Sequence, residues 1–147
     1  MLVPAMTLEP ITFAYQLACS PTRAFITYVD RIGEWWPATH TRDAATLVTV
    51  QIEPRVGGRV YASHLDGDDV WGEVSVYEPG VRLRYTFGLA QPVDEAPSEI
   101  TVTFARFLDG CAVEFAHGGW HAGNARSRER FREWRLILDR YAALAAA

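Results

Sequence analysis

Hydrophobic and polar positions alternate along much of this chain. "ITFAYQLAC" places Ile11, Phe13, Tyr15, Leu17 and Cys19 on one face, the period of a half-buried strand. "SPTRAFITYVDRIG" changes the period. Ser20 is a good N-cap, Pro21 suits the first helical position, and Ala24, Phe25, Tyr28, Val29 and Ile32 form one stripe of a helix that Gly33 is expected to end. Strand patterns return in "LVTVQIEP", "RVYASHL" and "VWGEVSVY", the last with Val70, Val74 and Val76 on one face and Trp71 turned outward, where its ring could serve a dimer contact. "EPGV" has the Pro-Gly order of a type II turn, and "RLRYTF" sends Leu83, Tyr85 and Phe87 inward. After a loop with two prolines, "EITVTFARF" and "CAVEFAH" supply two further strands. A helix is expected from near Asn124, with Phe131, Trp134, Leu138, Tyr141 and Ala145 in a narrow arc and Leu136 on the far side.

These elements predict an α+β chain: six or seven short antiparallel strands, a helix after the first, and a longer helix at the end. The chain has 147 residues, an ordinary length for a single domain over 1–147, with an N-terminal arm over 1–9 and a folded core over 10–146. A net charge of -4 argues against a nucleic-acid partner, which calls for a basic surface. No apolar run is long enough for a membrane span, and "MLVPAMTLEP" lacks the basic start of a signal peptide, so a cytoplasmic protein without a membrane partner is expected. The two cysteines have no metal spacing and read as reduced thiols.

Candidate chemistry is sparse. His64 shares a face with Val60 and Ala62, and His117 with Val113 and Phe115, so both imidazoles point to the apolar side. Either is a hydrogen-bonded core residue, a polar anchor of a pocket, or a general base. "HGGWH" spaces His117 and His121 like a helical metal pair, but its glycines disfavour a helix, and no metal or cofactor is expected. "DGDD" lacks the remaining ligands of a calcium loop and reads as a hairpin tip. The arginines and glutamates of "NARSRERFREWR" read as a solvated face. No nucleophile elbow or phosphate loop is present.

"EPRVGGRVY", "WGEV", "EPGVRLRYTF", "HGGW" and "EWRLILDRYAA", in that order, resemble the motif string of a bacterial family. That family is similar to the C-terminal domain of the activator of the 90-kDa heat-shock protein ATPase and belongs to the START-like (SRPBCC) superfamily. The resemblance spans about residues 11–145. One departure is that Glu133, rather than glycine, precedes Trp134. The resemblance implies a helix-grip fold, a curved antiparallel sheet wrapped around the C-terminal helix. It implies a cavity between them that takes a small hydrophobic or aromatic molecule. Cavity candidates are Trp36, Val60, His64, Val74, Tyr85, Phe87, Phe104, Phe115, His117, Phe131 and Trp134, with His64, Tyr85 and His117 as polar anchors. A polyketide cyclase- or aromatase-like enzyme using His64 or His117 is one alternative, and a chaperone-associated interaction domain another. The superfamily also implies a homodimer, and its topology places Cys19 and Cys111 near one another on adjacent strands.

Overall fold

The computed structural model describes residues 8–147, so most of the N-terminal arm expected over residues 1–9 lies outside the described residues. Seven strands form one antiparallel sheet: β1 Ile11–Leu17, β2 Leu47–Ile52, β3 Arg59–His64, β4 Gly67–Glu78, β5 Arg82–Phe87, β6 Ser98–Phe107 and β7 Gly110–Gly118. Their spatial order is β1-β7-β6-β5-β4-β3-β2. The first and second strands are therefore at opposite edges. Two helices, α1 Pro21–Asp30 and α2 Ile32–Trp35, carry the chain between those edges, and α3 Trp134–Ala146 packs against both helices and β1. Among the described residues, no helix is long and apolar enough to cross a membrane.

The straight strands follow the sequence periodicity. On β5, Leu83, Tyr85 and Phe87 are buried, as are Ile100, Val102 and Phe104 on β6 and Val113, Phe115 and His117 on β7. The bent strand does not. Val60 pairs with Gly72 and Tyr61 with Val70, so Trp71 is an extra residue with no partner across the ladder. A second irregularity lies between Val74 and Val76. Such bulges shift which side chains face inward and bend the strand. The inward set on β4 becomes Trp71 and Val74, with Tyr77 half-buried, while Val70 is 54% exposed. The outward placement expected for Trp71 is thus corrected: its ring is 3% exposed. Gly72 enables this bend, because a β-carbon there would lie 1.6 Å from the Thr86 carbonyl oxygen.

Two helix boundaries also differ from expectation. α1 is capped as expected, with Ser20 Oγ accepting from the Arg23 amide at 3.1 Å. It ends at Asp30, and Gly33 lies inside α2, where a β-carbon would fall 2.4 Å from Thr49 Oγ1. Glycine is needed there for close packing on β2 rather than for a C-cap. The final helix begins at Trp134, not near Asn124. Asn124 spends its side chain on loops, accepting from the His121 amide at 2.8 Å and donating to the carbonyls of Ala96 and Gly119. Residues Ala125–Arg130 form a 3-10 turn, and Phe131 stands ahead of the helix, partly buried.

The middle of the concave face is filled. Phe25 from α1 meets Phe104 at 5.2 Å between ring centroids, and Tyr28 meets Tyr141 of α3 at 5.2 Å. The Tyr28 and Tyr85 hydroxyls share a hydrogen bond of 2.8 Å at full burial, and burial pushes both phenols well above their ordinary range. Cys111 pairs with Leu17 across β1 and β7, and Cys19 lies two residues beyond the end of β1. Both thiols are free.

Candidate functional site

A cavity of about 810 Å³ opens at the end of the sheet that α1 does not fill. Its walls come from four places: residues 36–42 after α2, the early part of β4, the end of β5 with the loop 88–97, and residues 130–137 leading into α3. The volume falls in the range of about 300–1,000 Å³ usual for small-molecule sites.

Aromatic rings pack against one another along its floor. Trp36 lies 5.0 Å from Trp71 and 5.7 Å from Trp134, centroid to centroid, and Phe87 lies 5.7 Å from Trp134 and 6.0 Å from Phe131. These separations are those of favourable tilted and edge-to-face pairs. The indole donors are used within the protein. Trp36 Nε1 donates to the His40 carbonyl at 3.2 Å, Trp71 Nε1 to Asp69 Oδ2 at 3.2 Å, and Trp134 Nε1 to His117 Nδ1 at 3.0 Å. With their donors used and only 2–4% of their surface exposed, these three residues back the cavity as a packed apolar floor.

Of the eleven candidates, Trp36, Phe87, Phe131 and Trp134 line this cavity. Val60, His64, Val74, Tyr85, Phe104, Phe115 and His117 are buried in the core and lie outside its wall. Phe25 and Tyr28 of α1 cover Phe104 and Tyr85, and Trp134 at the start of α3 covers Phe115 and His117.

His117 is fully buried and sits behind the wall. Trp134 occupies its Nδ1, so the proton is on Nε2, which donates to Ser98 Oγ at 2.6 Å. The Ser98 hydroxyl passes on to the Phe87 carbonyl or to Gln91 Oε1, each at 2.7 Å. Desolvation, aided by the Arg128 charge, drives the imidazole down to about 3. A neutral ring with both nitrogens engaged fixes Trp134 and Phe87 and leaves no lone pair for base catalysis. His64 is 4% exposed. Thr46 donates to Asp43 Oδ2 at 3.1 Å, so His64 Nδ1 donates to Thr46 Oγ1 at 3.0 Å, and Nε2 has no partner among the described residues. The cyclase-like alternative was built on these two histidines, and neither one reaches the cavity.

The chain contains four histidines, and the one that lines the cavity is His40. Its Nε2 lies 3.1 Å from Glu133 Oε2. Arg42, Asp69, Gln91, Glu95 and Arg130 supply the other polar lining groups. Sequence reasoning missed His40 because it lies in an irregular loop. Trp71 was missed because a bulge reverses its side. Among the described residues, no group of three His, Cys, Asp or Glu side chains could hold a metal ion.

A curved seven-stranded antiparallel sheet around a C-terminal helix, open at one end, defines a helix-grip protein of the START-like (SRPBCC) class. Within that class, the chain belongs to the family described as "Activator of Hsp90 ATPase homolog 1-like protein", which matches residues 19–146. Protein MLL2253 from Mesorhizobium loti is similar at 21% identity and a TM-score of 0.68, over 92% of this chain and 96% of that one. The Aha1 dimer from Colwellia psychrerythraea is similar at 15% identity and a TM-score of 0.68, over 93% and 96%. Txn09, an anthrahydroquino-gamma-pyrone synthase complexed with SUM, is 28% identical with a TM-score of 0.59, over 94% and 99%. No curated protein matches the chain.

Proposed function

We propose that this protein binds a small, planar aromatic molecule in the cavity at the open end of its sheet. The observation that carries this reading is the run of five rings, Trp36, Trp71, Phe87, Phe131 and Trp134, along a cavity of about 810 Å³. Trp36, Trp71, Phe87 and Trp134 are 1–4% exposed and form a rigid packed floor, and the half-buried Phe131 with Val70 and Leu89 supplies accessible apolar surface above it, so a flat molecule is received at low ordering cost. The indole donors are already satisfied, so stacking a ligand on these residues breaks no hydrogen bond. The likeness to Txn09, a synthase of a polycyclic aromatic product by its name, supports the same ligand class.

Calorimetric titration with 2-methoxyanthraquinone tests the reading. Saturable binding of one molecule per chain is expected. Phe131→Ala, which removes the half-buried ring of the wall, is expected to weaken it about tenfold. The absence of saturable heat up to the solubility limit of the probe contradicts the reading.

A further inference from the structure

The polar groups around the cavity have mostly spent their hydrogen bonds. Gln91 donates to Glu95 Oε1 at 3.0 Å and to the Ala96 carbonyl at 2.9 Å, and its oxygen accepts from Ser98. Glu95 also accepts from Ser127 at 2.6 Å. Arg42 is bound to Asp66 at 2.6 Å, and Asp69 accepts from Trp71. Arg130 donates to the Ala90 carbonyl at 2.7 Å, tying the loop 88–97 to the chain before α3.

Asp69 and Glu95 each keep one oxygen without a partner among the described residues, as Glu133 does, but of these three carboxylates Glu133 is the one held by a histidine. A carboxylate can only accept, so His40 Nε2 carries a proton and donates it to Oε2 at 3.1 Å. Oε1 has no partner among the described residues and remains an open acceptor beside the aromatic wall. His40 is itself fixed from two sides. The Thr39 hydroxyl lies 3.2 Å from Nδ1, the nitrogen left as acceptor, and the Trp36 indole donates to the His40 carbonyl. The line Thr39–His40–Glu133 therefore holds one oxygen of a carboxylate at the cavity rim, where the Glu133 side chain is 64% exposed and its other oxygen is available. Glu133 gains this place because the helix begins at Trp134, which leaves residue 133 at its N-cap beside the cavity mouth.

We infer that the bound aromatic molecule carries a free hydroxyl of phenol or enol type, which donates to Glu133 Oε1, and that His40 is the positioning residue for that carboxylate. The inference rests on the aromatic-cavity reading and names the chemistry of the ligand it holds. A hydroxyl donating to a carboxylate makes a charge-assisted bond, stronger than a neutral one. An ether at the same position has no proton to donate.

The test compares 2-hydroxyanthraquinone with 2-methoxyanthraquinone on the full chain by equilibrium titration, with the visible spectrum of the hydroxy probe as a second readout. The hydroxy compound is expected to bind about tenfold more tightly than the methoxy compound. Its absorption band is expected to shift on binding. Glu133→Ala should bring the hydroxy-to-methoxy ratio to about one, and Glu133→Gln, still an acceptor but uncharged, should restore part of it. His40→Ala should lower the ratio, since the carboxylate loses the donor that holds it. A ratio of one in the unaltered protein, or a full ratio kept in Glu133→Ala, overturns the inference while the aromatic cavity stands. If neither probe binds, both readings fall together.

Discussion

Buried between Ser98 and Trp134, the His117 imidazole shows how one residue couples the core to the cavity wall. Its Nδ1 holds the Trp134 indole, and its Nε2 proton reaches a serine that is also tied to β5 and the loop 88–97. The ring stays neutral in the folded protein down to about pH 3, whereas a free histidine takes a proton near 6.5. Between these values the unfolded chain binds the extra proton and the folded chain does not. His117 therefore contributes stability that is complete above about pH 6.5 and lost as pH falls toward 3, at up to roughly 1.4 kcal/mol per pH unit. Urea unfolding at stepped pH should show this as a steeper acid loss than in His117→Leu. At pH 7 that variant is expected to be less stable by about 1–3 kcal/mol, because the Trp134 donor is left buried and unpaired. Equal pH slopes for the two proteins would contradict this assignment. The sequence pattern showed that His117 faces inward, since Val113, Phe115 and His117 alternate on one strand. It could not show what the imidazole meets, because Ser98 and Trp134 arrive from elements 19 and 17 residues away.

At the scale of the element, β4 carries the information that alternation alone misses. A period of two presumes a straight strand, and it predicted Leu83, Tyr85 and Phe87 correctly because β5 has no bulge between them. On β4 the extra residue at Trp71 reverses the side of everything before it, which turns an expected surface tryptophan into part of the cavity wall. The signal was present in Gly72, since an isolated glycine within a strand pattern marks a bulge or a close backbone approach. Here it marks both, and the Trp71 carbonyl next to it accepts from the Gly88 amide at 2.6 Å. Gly72→Ala would force a β-carbon onto the Thr86 carbonyl, where only backbone movement could make room. A loss of at least about 3 kcal/mol is expected in denaturant unfolding, at the upper end for overpacking. A loss below about 1 kcal/mol would show that the bend does not depend on this glycine. The start of α3 follows the same logic. The apolar arc extended back to Phe131, but the side chains of Asn124 and Ser127 are used to bind neighbouring loops, and the helix is delayed to Trp134.

For the whole molecule, the inward face of the hairpin formed by β4 and β5 serves two purposes. Val74 and Tyr85 complete a closed core with α1, and Trp71 and Phe87, further along the same strands, line the cavity. The fold class was legible from strand count, helix placement and motif order. The location of the site was only partly legible, because sequence patterns distinguish inside from outside and cannot distinguish a packed interior from an open one. That division depends on where α1 and the start of α3 cover the sheet. The central claim is that the open end binds a planar aromatic molecule, and indole N–H resonances of the five tryptophans in a ¹⁵N-labelled sample report on it directly. On titration with 2-methoxyanthraquinone, the Trp36, Trp71 and Trp134 signals are expected to shift most and to saturate together. Trp35 and Trp120, buried outside the cavity wall, are expected to move least. Unchanged signals for Trp36, Trp71 and Trp134 at the highest soluble probe concentration would contradict the account.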